Sequence, residues 1–222
     1  MYAMNEPRTR GVLFDLDGTL ADTAPDLGGA LNRLRIERGL PELPADTLRP
    51  HTSAGARGLI GAGFGVTPDD AGYAELADRF LTLYASAICV HTRLFDGMGE
   101  VLTRLEQADI PWGVVTNKAA RFTVPLMREL GLHERAASIV SGDSVPVPKP
   151  DPAGLRLAAN ELGVEAGDCI YVGDDERDIQ AARAAGMRSV TAAFGYLGCA
   201  RHHSEWGADH TIHHPLELLP LL

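Results

Sequence analysis

Four short runs in this sequence carry residue types whose spacing could do chemistry. In Asp15-Leu16-Asp17-Gly18-Thr19, two carboxylates at i and i+2 point the same way from extended chain, and Gly18 permits a tight exit turn. Such a pair suits nucleophilic and acid–base work, although Asp and Gly at a strand end also build ordinary turns. In Thr116-Asn117-Lys118 the hydroxyl could donate to an oxyanion, the plainer reading being a turn or a helix cap. Lys149-Pro150-Asp151-Pro152 puts a cation just before a helix that proline starts, or simply a lysine in a solvated loop. In Gly173-Asp174-Asp175-Glu176-Arg177-Asp178, three aspartates crowd one turn, which is electrostatically costly unless a cation offsets them. Helix capping accounts for one or two of the three, not easily for all.

The elements that must position these groups follow from periodicity. Trp112–Thr116 and Cys169–Val172 are short apolar runs that suit buried strands, and Gly11–Asp15, Ser138–Ser141 and Arg188–Ala192 are strand-like. Helical patterns over Asp96–Ala108, Phe122–Leu130, Asp151–Leu162 and Arg177–Ala185 alternate with them. This alternation predicts an α/β fold, a doubly wound parallel sheet with helices on both faces. Between residues 22 and 92 the pattern changes to helices alone, at Asp26–Arg38, Gly55–Gly63 and Tyr73–Ile88. The expected organisation is a core of residues 1–21 and 93–222, with residues 22–92 as a helical cap inserted after the first strand.

In a doubly wound sheet, ligands bind outside the carboxyl ends of the strands. All four runs fall there. Together they could hold Mg²⁺ through several oxygens and cradle a phosphate between Thr116 and Lys149. The composition agrees: 30 Asp and Glu against 20 Lys and Arg give a net charge of −10, which argues against a nucleic-acid or anionic-membrane surface. No run approaches the roughly 18 apolar residues of a membrane helix. Residues 1–10 carry no apolar stretch behind their charges, so no leader is expected. Cys89, Cys169 and Cys199 are odd in number and widely spaced, which fits thiols in a reducing, cytoplasmic compartment. Lys118 and Lys149 are the only lysines among the 20 basic residues.

These four runs, in this order, resemble the four motifs of the haloacid dehalogenase superfamily. The resemblance spans essentially the whole chain, including the helical insert, and is strongest with phosphoglycolate phosphatase-like enzymes. Leu94–Met98, Trp112–Lys118 and Trp206–Asp209 also resemble bacterial N-acetylmuramic acid 6-phosphate phosphatases of the same branch. It implies a Mg²⁺-dependent phosphatase acting on a small phosphorylated metabolite. Asp15 would be the nucleophile and Asp17 the acid/base. Asp15, Asp174 and the Asp17 backbone carbonyl would hold the metal, supported by Asp175 or Asp178. Gly18, Thr116, Asn117 and Lys149 would bind the phosphoryl oxygens. Cap closure would hinge near Leu20–Thr23 and His91–Phe95 and exclude bulk water.

Departures from other members narrow the field. Dehalogenases lack a counterpart of Asp17, and phosphonatases need a cap lysine, which residues 22–92 do not contain. A mutase that returns the phosphoryl group to a sugar stays open. A phosphate-accepting signalling module would need neither Asp17 nor the helical insert, and an idle binding protein would not need the full set of motif side chains. Gly61-Ala62-Gly63-Phe64-Gly65 lacks dinucleotide-loop spacing. For substrate contacts the cap offers Ser53, Gly55 and Arg57, with His91 beside the hinge. Five of the eight histidines fall in His202–His214, whose irregular spacing reads as a solvated loop rather than a metal site.

Overall fold

The computed structural model describes residues 9–198 and 201–222. Residues 1–8 and Cys199 therefore lie outside the described residues, together with the expectations that concern them.

The apolar runs become neighbouring strands because each is buried on both sides. β1 (Gly11–Phe14) lies between β4 (Trp112–Val115) and β6 (Cys169–Gly173). β5 (Ser138–Val140) extends the sheet beyond β4, and β7 (Arg188–Ala192) extends it beyond β6. Every pairing is parallel, with Val12 opposite Trp112 on one side and Ile170 on the other. Side chains alternate between two layers. Val12, Phe14, Ile170 and Val172 meet α5 (Met98–Gln107) and α6 (Ala120–Glu129) on one face. Leu13, Cys169 and Tyr171 meet α7 (Ala153–Leu162) and α8 (Glu176–Ala185) on the other. The fold is α/β.

A sixth strand corrects the sequence reading. β8 (His210–Ile212) pairs in parallel with β7 at the sheet edge, inside the stretch expected to be a solvated loop. His210 and Thr211 are exposed and only Ile212 turns into the core, so the apolar signal that marks the other strands is missing. Helix ends also shift. α6 begins at Ala120 rather than Phe122 because Asp143, distant in sequence, accepts the Ala120 N–H at 2.8 Å.

Residues between β2 (Ala21–Asp22) and β3 (Arg93–Leu94) are helical: α1 (Ala24–Glu37), α2 (Ala45–Leu48), α3 (Gly55–Phe64) and α4 (Tyr73–Ala85). Leu31, Leu34, Leu59, Ile60, Phe80 and Tyr84 form an apolar cluster of their own, which Phe122 of α6 joins. The chain enters and leaves this unit side by side, since β2 and β3 pair antiparallel with Ala21 opposite Leu94. Buried Asp26 in the first turn of α1 fastens the exit by accepting from the His91 and Thr92 backbone N–H groups and the Thr92 hydroxyl. No helix among the described residues is long and apolar enough to cross a membrane.

Candidate active site

At the end of β1 the Asp15 N–H donates to the Val172 carbonyl at 2.9 Å, which carries the sheet one residue further. The chain then turns back sharply, with the Leu20 and Ala21 N–H groups donating to the Asp15 and Leu16 carbonyls. Gly18 sits at φ +89°, and a Cβ there would lie 2.2 Å from Asp174 Oδ2. Gly195, just after β7, meets the other side: its Cβ would lie 2.4 Å from that of Asp174. These two glycines form a slot that admits the Asp174 carboxylate and nothing bulkier beside it. In the slot, Asp174 Oδ1 accepts from Thr19 Oγ1 at 3.0 Å and Oδ2 from the Tyr196 N–H at 2.8 Å.

Lys149 arrives from the loop ahead of α7, and its side chain is 4% exposed. Its ammonium lies 2.8 Å from Asp15 Oδ1, 2.7 Å from Asp178 Oδ1, 2.7 Å from the Tyr171 hydroxyl and 2.9 Å from the Val115 carbonyl. Four partners surround three ammonium protons, so the cation is held tightly in place. The loop is stapled to β4's exit by a reciprocal pair: Asn117 Nδ2 donates to the Lys149 carbonyl and the Lys149 N–H donates to Asn117 Oδ1, both at 2.9 Å. The buried Thr116 hydroxyl accepts from the Lys118 N–H at 3.2 Å and keeps its own proton to donate.

The acidic turn sorts itself by helix geometry. Asp175 caps α8 in a capping box with Asp178, and its carboxylate is gripped by the Arg177 guanidinium at 2.7 and 3.0 Å. Burial opposes ionisation of Asp175, yet Arg177 holds its pKa below the ordinary value. Asp178 instead turns inward to Lys149. Carboxylate oxygens of Asp15, Asp174 and Asp178 all lie within 4.8 Å of one another. Burial pushes the Asp15 carboxyl up to about 7; Lys149 opposes this, while Asp178 and Asp17 add to it. Asp174 is raised well above the ordinary range by burial, then by Asp15 and Asp178. One lysine does not balance this charge. Three hard oxygen donors with uncompensated negative charge, in a slot shaped by two glycines, fit a small divalent cation.

Above these groups lies a cavity of about 120 Å³. Asp15, Asp17, Thr116, Asn117, Lys149, Asp175 and Asp178 line its floor, while Ser53 and Gly55 reach it from the helical unit with Leu27, Phe80 and Tyr84. Ser53 Oγ is buried there without a hydrogen-bond partner. Arg57 lines a neighbouring cleft with His51 and Arg177 instead, and His91 is exposed at the β3 entry, touching Asp26 through its backbone N–H. The structure brings Asp15, Asp17, Thr116, Asn117, Lys149, Asp174 and Asp178 to one place, and leaves Arg57 and His91, expected from the sequence as substrate contacts, outside the cavity.

Several site residues escape sequence reasoning. Tyr196 accepts from the Thr23 and Ala24 N–H groups and donates to Asp22, binding the loop after β7 to the start of α1. Arg49 pairs with Asp22 and stacks over the Tyr196 ring at 4.9 Å. Arg177 donates to the Ser53 carbonyl at 2.7 Å. Lys118 contacts both Asp17 carboxylate oxygens, at 2.7 and 3.0 Å. Burial disfavours the Lys118 ammonium, but the charge and hydrogen bonding of Asp17 and Tyr84 together outweigh this and its pKa is raised. For Gly195 and Tyr196 the sequence signal is their position just past a strand's carboxyl end; for Lys118 it is adjacency to Thr116 and the scarcity of lysine.

The chain is similar to known proteins in both sequence and fold. The family model for haloacid dehalogenase-like hydrolases matches residues 12–192. The N-acetylmuramic acid 6-phosphate phosphatase of Pseudomonas putida is 43% identical over 95% of each chain. A phosphoglycolate phosphatase of Xanthomonas campestris pv. campestris is 44% identical over 94% of each. Among solved structures, a predicted phosphoglycolate phosphatase from Haemophilus somnus 129pt superposes with a TM-score of 0.84 at 25% identity, covering 96% of this chain and 97% of its own. With a matching family model, relatives along nearly its full length and the same fold, this chain belongs to the haloacid dehalogenase-like hydrolases.

Proposed function

We propose that this phosphomonoester hydrolase uses Asp15 as nucleophile and Asp17 as acid/base, on a small phosphorylated metabolite in the cytoplasm, with residues 22–92 serving as a cap over the core. The observation that carries the reading is the Asp15 carboxylate at the floor of the cavity, ion-paired to Lys149 beside the buried carboxylates of Asp174 and Asp178. The phosphoryl group sits between Asp15 and the cap, its oxygens met by Lys149, the Thr116 hydroxyl and the backbone N–H groups near Gly18 and Asn117. Asp15 Oδ attacks phosphorus, and the bond to the leaving oxygen breaks with its electron pair on that oxygen. Asp17 supplies the proton. A water then enters from the same side, gives a proton to Asp17, and its oxygen displaces Asp15 from phosphorus.

Asp15, Asp174 and the Asp17 backbone carbonyl would hold Mg²⁺, with Asp178 beside them; Asp175, engaged by Arg177, supports the turn. When bound, the ion neutralises charge on the phosphoryl oxygens and on the nucleophile, which would otherwise repel each other. Folded-state pKa values of Asp15 and Asp174 are raised, so the folded protein holds protons that the unfolded chain has lost, and stability falls as pH rises. Chelated protein is therefore expected to lose thermal stability between about pH 4 and pH 7, where Asp15 is ionised in the unfolded chain but still protonated in the folded one, and Mg²⁺ to restore it most at the upper end. Thermal melts across that range, with EDTA and with Mg²⁺, measure this directly. A flat profile would contradict the assigned carboxylate cluster.

The size and charge of phosphoglycolate suit the small cavity and the Ser53 hydroxyl. N-acetylmuramic acid 6-phosphate or another sugar phosphate is the second reading, favoured by the apolar wall of Leu27, Phe80 and Tyr84, which a two-carbon acid leaves uncovered. Phosphate release from a panel of these esters separates them. The expected result is Mg²⁺-dependent release with about a hundredfold preference in kcat/KM, equivalent to about 2.7 kcal/mol of transition-state discrimination. No release from any ester would leave a phosphate-accepting or binding module as the better description.

A further inference from the structure

Lys118 has no part in the chemistry assigned above, yet it is one of the most constrained side chains near the cavity. Its backbone is pinned at both ends: the N–H donates to Thr116 Oγ1, and the carbonyl accepts from the Gly142 N–H at 2.9 Å and the Thr123 hydroxyl at 3.1 Å. The side chain is 8% exposed. Two contacts fix its far end. The ammonium lies 2.7 and 3.0 Å from the two Asp17 oxygens, and 4.9 Å from the centroid of the Tyr84 ring, which α4 brings over the cavity. Tyr84 in turn packs on Phe122, with ring centroids 5.7 Å apart. A point charge between a carboxylate and an aromatic face is attracted by both.

In the reaction, the leaving oxygen departs and water arrives on the same side of phosphorus, opposite Asp15. One fixed orientation of the Asp17 carboxylate therefore serves both half-reactions, whereas a freely rotating one serves neither well. Holding both oxygens stops rotation about Cβ–Cγ. We propose that Lys118 is a positioning residue for Asp17, working beside the Thr23 hydroxyl that donates to Asp17 Oδ1 at 2.6 Å, and that Tyr84 seats Lys118, so that the second Asp17 oxygen, Oδ2, is held only with α4 in place over the core. This rests on the reading of Asp17 as acid/base. The rival is a buried ion pair that merely stabilises the fold.

The two differ in which half-reaction they touch. p-Nitrophenolate leaves without a proton, so forming the aspartyl-phosphate from p-nitrophenyl phosphate does not need an oriented Asp17, but its hydrolysis does. In rapid-mixing kinetics, Lys118→Met is expected to release one equivalent of p-nitrophenolate at a first-turnover rate within about threefold of the wild type, and then to turn over at least ~30-fold more slowly. On phosphoglycolate, whose alkoxide needs the proton, it should lose at least ~100-fold in kcat with KM changed less than about threefold and no burst. Lys118→Arg should recover at least about tenfold of the steady-state loss, and Tyr84→Leu should show the same burst pattern with a smaller, roughly tenfold, slow phase. Lys118→Gln is scored by the same criteria if the Met variant is insoluble. Equal slowing of first turnover and steady state, or no change in either, overturns the proposal. Asp17→Asn serves as the reference: if it too lacks the burst, the acid/base reading has failed; if it shows the burst and the Lys118 variants do not, only the role of Lys118 has.

Discussion

Asp15→Asn is expected to lower phosphate release by at least about 10⁴-fold while the protein stays folded. The amide has nearly the same shape and fills the same space at the end of β1, but it offers no anionic oxygen to attack phosphorus. The fold has reason to tolerate the change. Asp15 is 9% exposed and its carboxyl is pushed up to about 7 by burial, so its ionised form is held against a gradient in the metal-free protein. Removing that charge relieves Asp174 and Asp178. Lys149 loses one partner but keeps Asp178, Tyr171 and the Val115 carbonyl. At pH 8 in EDTA the variant should therefore melt no lower than the wild type, while in Mg²⁺ it should gain less from the ion. Phosphate release and acid-quench trapping of phosphoenzyme check the activity, and calorimetry checks the fold. Hydrolysis within tenfold of wild type would remove Asp15 from the nucleophile's role.

Lys149→Met is expected to damage both activity and stability. Its ammonium is the only cation in contact with Asp15 and Asp178 among the described residues, and side-chain exposures of 4% and 2% leave the Lys149–Asp178 pair almost no water. Removing one member of a buried pair strands the other, at a cost of about 3–5 kcal/mol. The loss should depend on pH in a definite sense: below about 7 Asp15 takes up a proton and needs no counter-charge, so the variant's deficit should be smaller near pH 5.5 than at pH 8. Turnover should fall by about 10³-fold through loss of charge against the transferring phosphoryl oxygens. Urea unfolding at the two pH values and steady-state kinetics report the two effects separately. An equal stability loss at both pH values would show that Asp15 is not the stranded partner.

Much of the core is legible in the sequence because β1, β4 and β6 are buried on both faces and read as near-continuous apolar runs, and β7 follows from the strand–helix alternation. The edge strand β8 is not, since two of its three residues face solvent and its pairing with β7 is set by tertiary placement. The motif carboxylates are legible because clustered aspartates at strand ends demand an explanation. Which of Asp175 and Asp178 turns inward is less so, although the capping-box spacing already favours Asp175 as the cap. Tyr171, Tyr196, Gly195 and Arg177 are ordinary residue types in ordinary positions. What makes them part of the site is a partner from another element: Lys149 for Tyr171, the start of α1 for Tyr196, Asp174 for Gly195 and Ser53 for Arg177.

The side-by-side entry and exit of the helical unit bears on how the chain folds. Phe14 and Val114 pair across 100 residues of sequence, a separation that slows assembly of a parallel sheet because the loop must close before any strand contact forms. When α1 to α4 form first, the pairing of Ala21 with Leu94 bypasses the unit and leaves only about 30 residues of loop, lowering the closure entropy by about 1 kcal/mol. An insertion that lengthens the chain thus scarcely lengthens the search, and the central strands can find one another almost as though they were contiguous.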